Sequence, residues 1–252
     1  MNKPGPYRLF RFVIPQLLTA SRFILGIFAI QWAAQHQFDL AAKIIVLGFC
    51  TDVLDGALAR RMDVVSEFGV FFDFFADYLY YVIAPTCLVV FLVAKKAGIL
   101  SLILLNLPVV AGAVRYARRG ALKEAVYLCP RASAGLPTNV CAFYMLAFVF
   151  LWRERIVDTN TVYVILTATL PLLALLMPGP RKYPWLTDYL WIFIPVSVGL
   201  YAMPFLYTGI LASITIGIVV MYVLFAPQLI VQHPAPSAAP ATETPPTRAM
   251  AQ

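Results

Sequence analysis

Eight stretches of this chain, 14–34, 38–60, 69–94, 97–116, 134–152, 159–178, 187–205 and 208–231, are apolar and about as long as a helix must be to cross a bilayer. With 62% apolar and only 12% charged residues, the balance lies far outside that of soluble domains. The expected fold is all-α, a polytopic membrane helix bundle. Residues 1–13 carry Lys3, Arg8 and Arg11 ahead of the first run. That run lacks a small-residue cleavage site and is long enough to span, so it is expected to stay as a helix. An even number of spans places both ends on one side. Thirteen lysines and arginines fall on the side of the termini and five (Lys43, Lys95, Lys96, Arg153, Arg155) on the other, which predicts cytoplasmic termini. The formal charge of +7 is accounted for by this flanking pattern and needs no nucleic acid partner. Cys50, Cys87, Cys129 and Cys141 show neither paired nor metal-ligand spacing and read as reduced core residues.

Against this apolar background, Asp52, Asp55, Asp73 and Asp77 stand out: four of twelve acidic residues lie in or beside the second and third spans. An ionised carboxylate in hydrocarbon costs a few kcal/mol or more, so the four persist only if something positive neutralises them. Asp52, Asp55, Gly56 and Ala59 are spaced to share one helix face, as are Gly69, Asp73 and Asp77. If the two helices pack antiparallel, the carboxylates converge, with glycines leaving room for a bulky ligand. The donors are all oxygen, with no matching histidine or cysteine, which suits hard cations such as Mg²⁺ or Mn²⁺ rather than zinc or copper. Two such ions, roughly 3.5–4 Å apart, form the arrangement used for in-line phosphoryl displacement. The bland alternative is a cation-coupled transporter that uses the same acids as an ion site, yet the chain has no internal repeat to support it. Asp52 lies about 12 Å of helix before Arg60, which puts the site in the cytoplasmic third of the membrane.

The full pattern Asp52-x2-Asp55-Gly56-x2-Ala59-Arg60-x8-Gly69-x3-Asp73-x3-Asp77 resembles the signature of the CDP-alcohol phosphotransferases at all eight positions. The resemblance spans roughly residues 10–185 and implies a six-helix catalytic core over 1–185; by their apolar runs and composition, 186–232 are expected as two additional transmembrane helices and 233–252 as a disordered tail. It further implies that Asp52, Asp55, Asp73 and Asp77 hold two Mg²⁺ or Mn²⁺ ions and that Asp77 also acts as general base. Gly56, Ala59 and Gly69 would let the nucleotide lie against the helices, with Arg60 on phosphate. In the first span Thr19 and Arg22 would line the nucleotide pocket, the other reading of Arg22 being an arginine that snorkels to the interface.

Secondary features resemble the branch that makes phosphatidylserine: Ala84-Pro85, an arginine-rich segment, Gly135-Leu136-Pro137-Thr138, Leu176-Met177 and Arg181-Lys182-Tyr183-Pro184. The implied reaction transfers a phosphatidyl group from CDP-diacylglycerol to an alcohol, foremost L-serine, with release of CMP. Glycerol 3-phosphate, inositol phosphate and choline are the other acceptors in view. That branch usually has Asp-Ser-Leu-Ala-Asp at the last two aspartates, where this chain carries Phe74 and Phe75.

Arg115, Arg118 and Arg119 occupy i, i+3 and i+4 at the end of the fourth span and are expected as a phosphate clamp, or else as a topology anchor. Arg131 opens a helix-start signal, Arg131 to Asn139, with a Gly, a Pro and two side-chain caps, and it is a further acceptor contact. Tyr81 extends the Gly69-Asp73-Asp77 stripe by one turn. The last two spans contain no embedded ionisable group and are expected to serve packing or the support of a homodimer. The tail from His233 is too poor in apolar bulk to fold. The destination is the inner membrane, with membrane lipids as surroundings.

Overall fold

The computed structural model of the protein describes residues 6–49, 67–121, 132–184 and 208–232. Each expected span with described residues is helical there apart from a few residues at its ends, such as 134–137. Helix α1 covers Pro6–Ala34 and α2 is described over 38–49. Next come α3 (Glu67–Asp77), a π-helical turn (Tyr78–Ile83) and α4 (Ala84–Val93), which together form one continuous rod. The series continues with α5 (Ile99–Ala121), α6 (Thr138–Arg153), α7 (Thr159–Leu176) and α8 (Thr208–Gln232). Five of these are long and apolar enough to cross a membrane: 16–34, 68–93, 99–121, 159–176 and 209–228. The expected span 187–205 and the tail from 233 lie outside the described residues.

Side-chain contacts establish the helix directions. Phe38 meets Trp152 and Phe49 meets Phe143, so α2 runs antiparallel to α6. Tyr81 shares Phe49 with Phe143, and further on Thr86 reaches Met145, so the rod runs with α6 and against α2. Helix α5 also runs against the rod, since Tyr116 packs on Phe74 while the Tyr78 hydroxyl donates to the Val109 carbonyl. Arg22 of α1 lies at Asp73 and Asp77, and Gly26 one turn later lies at Leu79 and Tyr80, which makes α1 and the rod parallel. The result is an alternating bundle of the kind that short links between spanning helices produce.

Helix α6 is the centre of the bundle. It has only 16 residues, about 24 Å of rise, which is short for a lipid-facing span. Nearly all its side chains from Thr138 to Leu151 are buried by protein, so its length need not match the hydrocarbon thickness. Helix α8 packs along α6, with Tyr222 stacked on Tyr183. Cys141 is buried and Cys87 half-buried, and both are free thiols.

Two features depart from the expected reading. Ala132–Ala134 (β1) pairs antiparallel with Lys182–Pro184 (β2), tying the entry of α6 to the exit of α7. At that entry Pro137 itself occupies the N-cap and makes no side-chain cap hydrogen bond. The Thr138 hydroxyl instead shares a 2.8 Å hydrogen bond with Tyr116, so the two-cap reading of Thr138 and Asn139 is not realised. Side-chain capping occurs at α7, where Asp158 accepts from the N–H groups of Asn160 and Thr161.

Candidate active site

Asp73 and Asp77 lie one helical turn apart at the end of α3, and both turn toward Arg22 of α1. Arg22 Nη2 donates to Asp73 Oδ1 and lies 3.3 Å from Asp77 Oδ1. The Arg22 side chain is 0% exposed, which excludes the snorkelling alternative. Asp77 is 17% exposed and Asp73 41% exposed, so the pair opens outward at Asp73. Thr19, one turn earlier on α1, is buried on the same side. Gly69 is half-buried one turn before Asp73.

The neighbouring π turn explains how the pair is held. Pro85 has no N–H to offer the Tyr81 carbonyl and its ring crowds that oxygen, a conflict that a wider turn accommodates. The Ala84 N–H bonds to the Leu79 carbonyl, five residues back. This turn carries Tyr80 and Tyr81 into the core. Tyr81, expected to extend the aspartate stripe, stacks on Phe49 at 4.9 Å. The Tyr80 hydroxyl accepts from the Gly48 N–H at 2.9 Å and donates to carbonyls of the same turn of α2, at Ile44 and Ile45. A Cβ at position 48 would lie 2.1 Å from that hydroxyl, so only glycine permits the approach. Neither Tyr80 nor Gly48 stands out in the sequence. A glycine placed one to two turns before Asp52 and Asp55 was the available signal.

Helix α2 therefore reaches the level of Tyr80 and Tyr81, one turn from Asp77, by residue 49 and runs against the rod. Asp52, Asp55, Gly56, Ala59 and Arg60 follow directly, and they lie outside the described residues. So does Arg131.

The arginine trio is distributed between two tasks. Arg115 is buried, and its Nη1 donates to the carbonyls of Ala134 (2.7 Å) and Met177 (3.2 Å). Arg118 donates to Pro178 (2.6 Å) and Ala134 (3.1 Å). Both thus staple the β1 and β2 connections, where Gly135 adopts φ 78° and a Cβ would meet the Met177 carbonyl at 1.9 Å. These contacts with loop carbonyls differ from the phosphate contacts expected of them. Arg119 turns to α3, its guanidinium lying 5.0 Å from the centre of the Phe74 ring. Phe74, one of the two departures from the usual motif, thereby joins the arginine helix to the aspartate helix.

Among the described residues no group of three or more potential metal ligands occurs, and two of the four aspartates lie outside them. The described half nonetheless fits a cation. Two carboxylates from one face converge on a single positive group, and their donors are hard oxygens.

The sequence profile of the CDP-alcohol phosphatidyltransferases matches residues 12–177. The chain belongs to this family. A CDP-diacylglycerol–serine O-phosphatidyltransferase from Helicobacter pylori is 30% identical over 174 residues, 69% of this chain and 72% of the relative. One of the same name from Methanocaldococcus jannaschii is 29% identical over 181 residues, 72% of this chain and 78% of the relative. A phosphatidylcholine synthase from Legionella pneumophila is 28% identical over 182 residues, 69% of this chain and 65% of the relative. As a CDP-alcohol phosphatidyltransferase, the chain is a multi-pass membrane enzyme of phospholipid biosynthesis, acting on a CDP-linked donor and an alcohol acceptor. Enzymes of this family are generally dependent on divalent metal.

Proposed function

We propose that the protein transfers the phosphatidyl group of CDP-diacylglycerol to the hydroxyl of L-serine, releasing CMP. The acceptor oxygen attacks the phosphorus that carries the diacylglycerol, a P–O bond forms there, and the bond from that phosphorus to the CMP oxygen breaks. The observation that carries this reading is the convergence of Asp73 and Asp77 beside Arg22 at the end of α3, inside the family's matched region. Asp52, Asp55, Asp73 and Asp77 would hold two Mg²⁺ or Mn²⁺ ions, which when bound neutralise the diphosphate and the charge developing on CMP. Asp77 takes the acceptor proton. Thr19 would line the nucleotide pocket, Gly56, Ala59 and Gly69 would leave space for the nucleotide, and Arg60 would contact phosphate. Arg119 would contact phosphate, and Arg131 would supply an acceptor contact. Serine is favoured by the names of the H. pylori and M. jannaschii relatives.

A second reading, choline as acceptor, is favoured by the L. pneumophila relative. Basic residues concentrated at the end of the bundle that carries Arg118, Arg119, Arg181 and Lys182 support a cytoplasmic orientation of that end and of both termini. Residues 1–185 are read as the catalytic core and 186–232 as helices supporting a homodimer in the inner membrane.

The test supplies purified protein with labelled CDP-diacylglycerol and Mn²⁺ or Mg²⁺, offers serine, choline, glycerol 3-phosphate and inositol phosphate separately, and resolves the lipid products by chromatography. Phosphatidylserine as the main product is expected. A different main product reassigns the acceptor, and no CMP with any of them overturns the reading.

A further inference from the structure

A fully buried guanidinium shared between two carboxylates is unusual beside a site for divalent cations. The Arg22 charge and a divalent ion compete for the same Asp73 and Asp77 oxygens, and like charges so close together in a low-dielectric site repel strongly. Arg22 is not a mobile surface residue that drifted in. It stands one turn before Gly26, where α1 comes so close to Tyr80 and Leu79 that a Cβ would lie 3.3 Å from the Tyr80 ring. That close approach holds the backbone of α1 beside the aspartates, so the guanidinium can change its direction without leaving the site. On one side of it stand the carboxylates, and Thr19 stands a turn away on the same helix.

We propose that Arg22 is the internal counter-ion of the empty aspartate site, displaced when divalent ions load and then aimed at the diphosphate of the donor. This rests on the reading of Asp73 and Asp77 as metal ligands given under Proposed function. Its consequence is a coupling between two ligands. The guanidinium weakens metal binding while no donor is present, because each entering ion must displace it from both carboxylates. A nucleoside diphosphate offers the displaced guanidinium a new bidentate partner and so strengthens metal binding. The site then fills efficiently only when metal and donor arrive together, which limits idle occupation by ions alone.

The experiment measures Mn²⁺ binding by electron paramagnetic resonance on the full-length protein in lipid nanodiscs, with and without CDP as the soluble nucleoside diphosphate. For the unaltered protein, CDP is expected to tighten Mn²⁺ binding several-fold. In Arg22→Gln, Mn²⁺ without CDP is expected to bind roughly tenfold more tightly, and the effect of CDP to shrink toward none. Arg22→Lys retains the charge but has no fork to bridge two carboxylates, and should fall between the two. It also serves as the reading if the glutamine variant does not fold. Equal or weaker Mn²⁺ affinity in these variants, or an undiminished CDP effect, overturns the inference. If CMP release by the unaltered protein depends on Mn²⁺ while the variants bind it unchanged, only this inference falls. If Mn²⁺ neither binds nor supports CMP release, the functional reading falls with it.

Discussion

Two clusters of acids and bases, at opposite ends of the bundle, show what burial does to the same chemistry. At one end Arg22 faces Asp73 and Asp77, so a single buried guanidinium serves two carboxylates among the described ion pairs. At the other end Asp39 meets Lys43 at 2.6 Å and Arg153 at 3.0 Å, with Glu154 3.8 Å from Arg153. There two acids balance two bases, and all are partly exposed. The balanced cluster is a surface network that joins α2 to α6, and water supplies whatever the pairing does not. In the other cluster the guanidinium itself is fully buried while Asp73 opens to solvent, so the charge of Arg22 is answered by the carboxylates rather than by water.

The largest effect is expected at Asp77. Asp77→Asn is expected to lower CMP release by about 10²–10⁴-fold with the fold intact, checked by turnover and by thermal melting in detergent. Retained turnover would remove Asp77 from the base role. Next in size, Arg22→Gln should destabilise the metal-free protein by about 2–4 kcal/mol, since it leaves two carboxylates without their guanidinium and Asp73 is shared with solvent. Adding Mn²⁺ should recover much of that loss, which no surface pair would do.

Gly48→Ala sharpens the contrast differently, by testing the scaffold behind the aspartates. The added methyl must push away the Tyr80 hydroxyl, at an expected cost of about 1–3 kcal/mol in melting experiments. Asp39→Asn, at the balanced end, should cost less than about 1 kcal/mol, and less still at high salt.

The smallest effect concerns Asp158, the exposed cap of α7. Its carboxyl is held below the ordinary carboxylate range, first by the Thr161 hydroxyl and then by the Thr161 N–H. A lowered pKa means the folded state favours the ionised form. The contribution is therefore complete above the ordinary carboxylate value and is lost as pH falls through the lowered one. Melting temperatures of the unaltered protein and Asp158→Asn should converge in acid and separate by neutral pH.

Much of this molecule was legible from residue order. The expected spans 69–94, 159–178 and 208–231 lie close to the observed rod, α7 and α8, because about twenty apolar residues in a bilayer have few alternatives to a helix. The shared face of Asp73 and Asp77 followed from helix periodicity alone. The strand pair between 132–134 and 182–184 did not, since Ala-Ser-Ala has little strand preference and forms one only where α6 and α7 bring the two segments together. The same holds for the divided employment of the arginine trio. Spacing put Arg115, Arg118 and Arg119 on one helix edge, but only the position of the loop carbonyls and of Phe74 decided what each would touch.

Residue types and intervals by themselves determined a helical membrane protein with an oxygen-rich acidic site, because periodicity and the cost of charge in hydrocarbon act locally along the chain. Which cation stands against those acids was decided by tertiary structure. Arg22 is 51 residues from Asp73, and nothing but the parallel packing of α1 on the rod brings the two together.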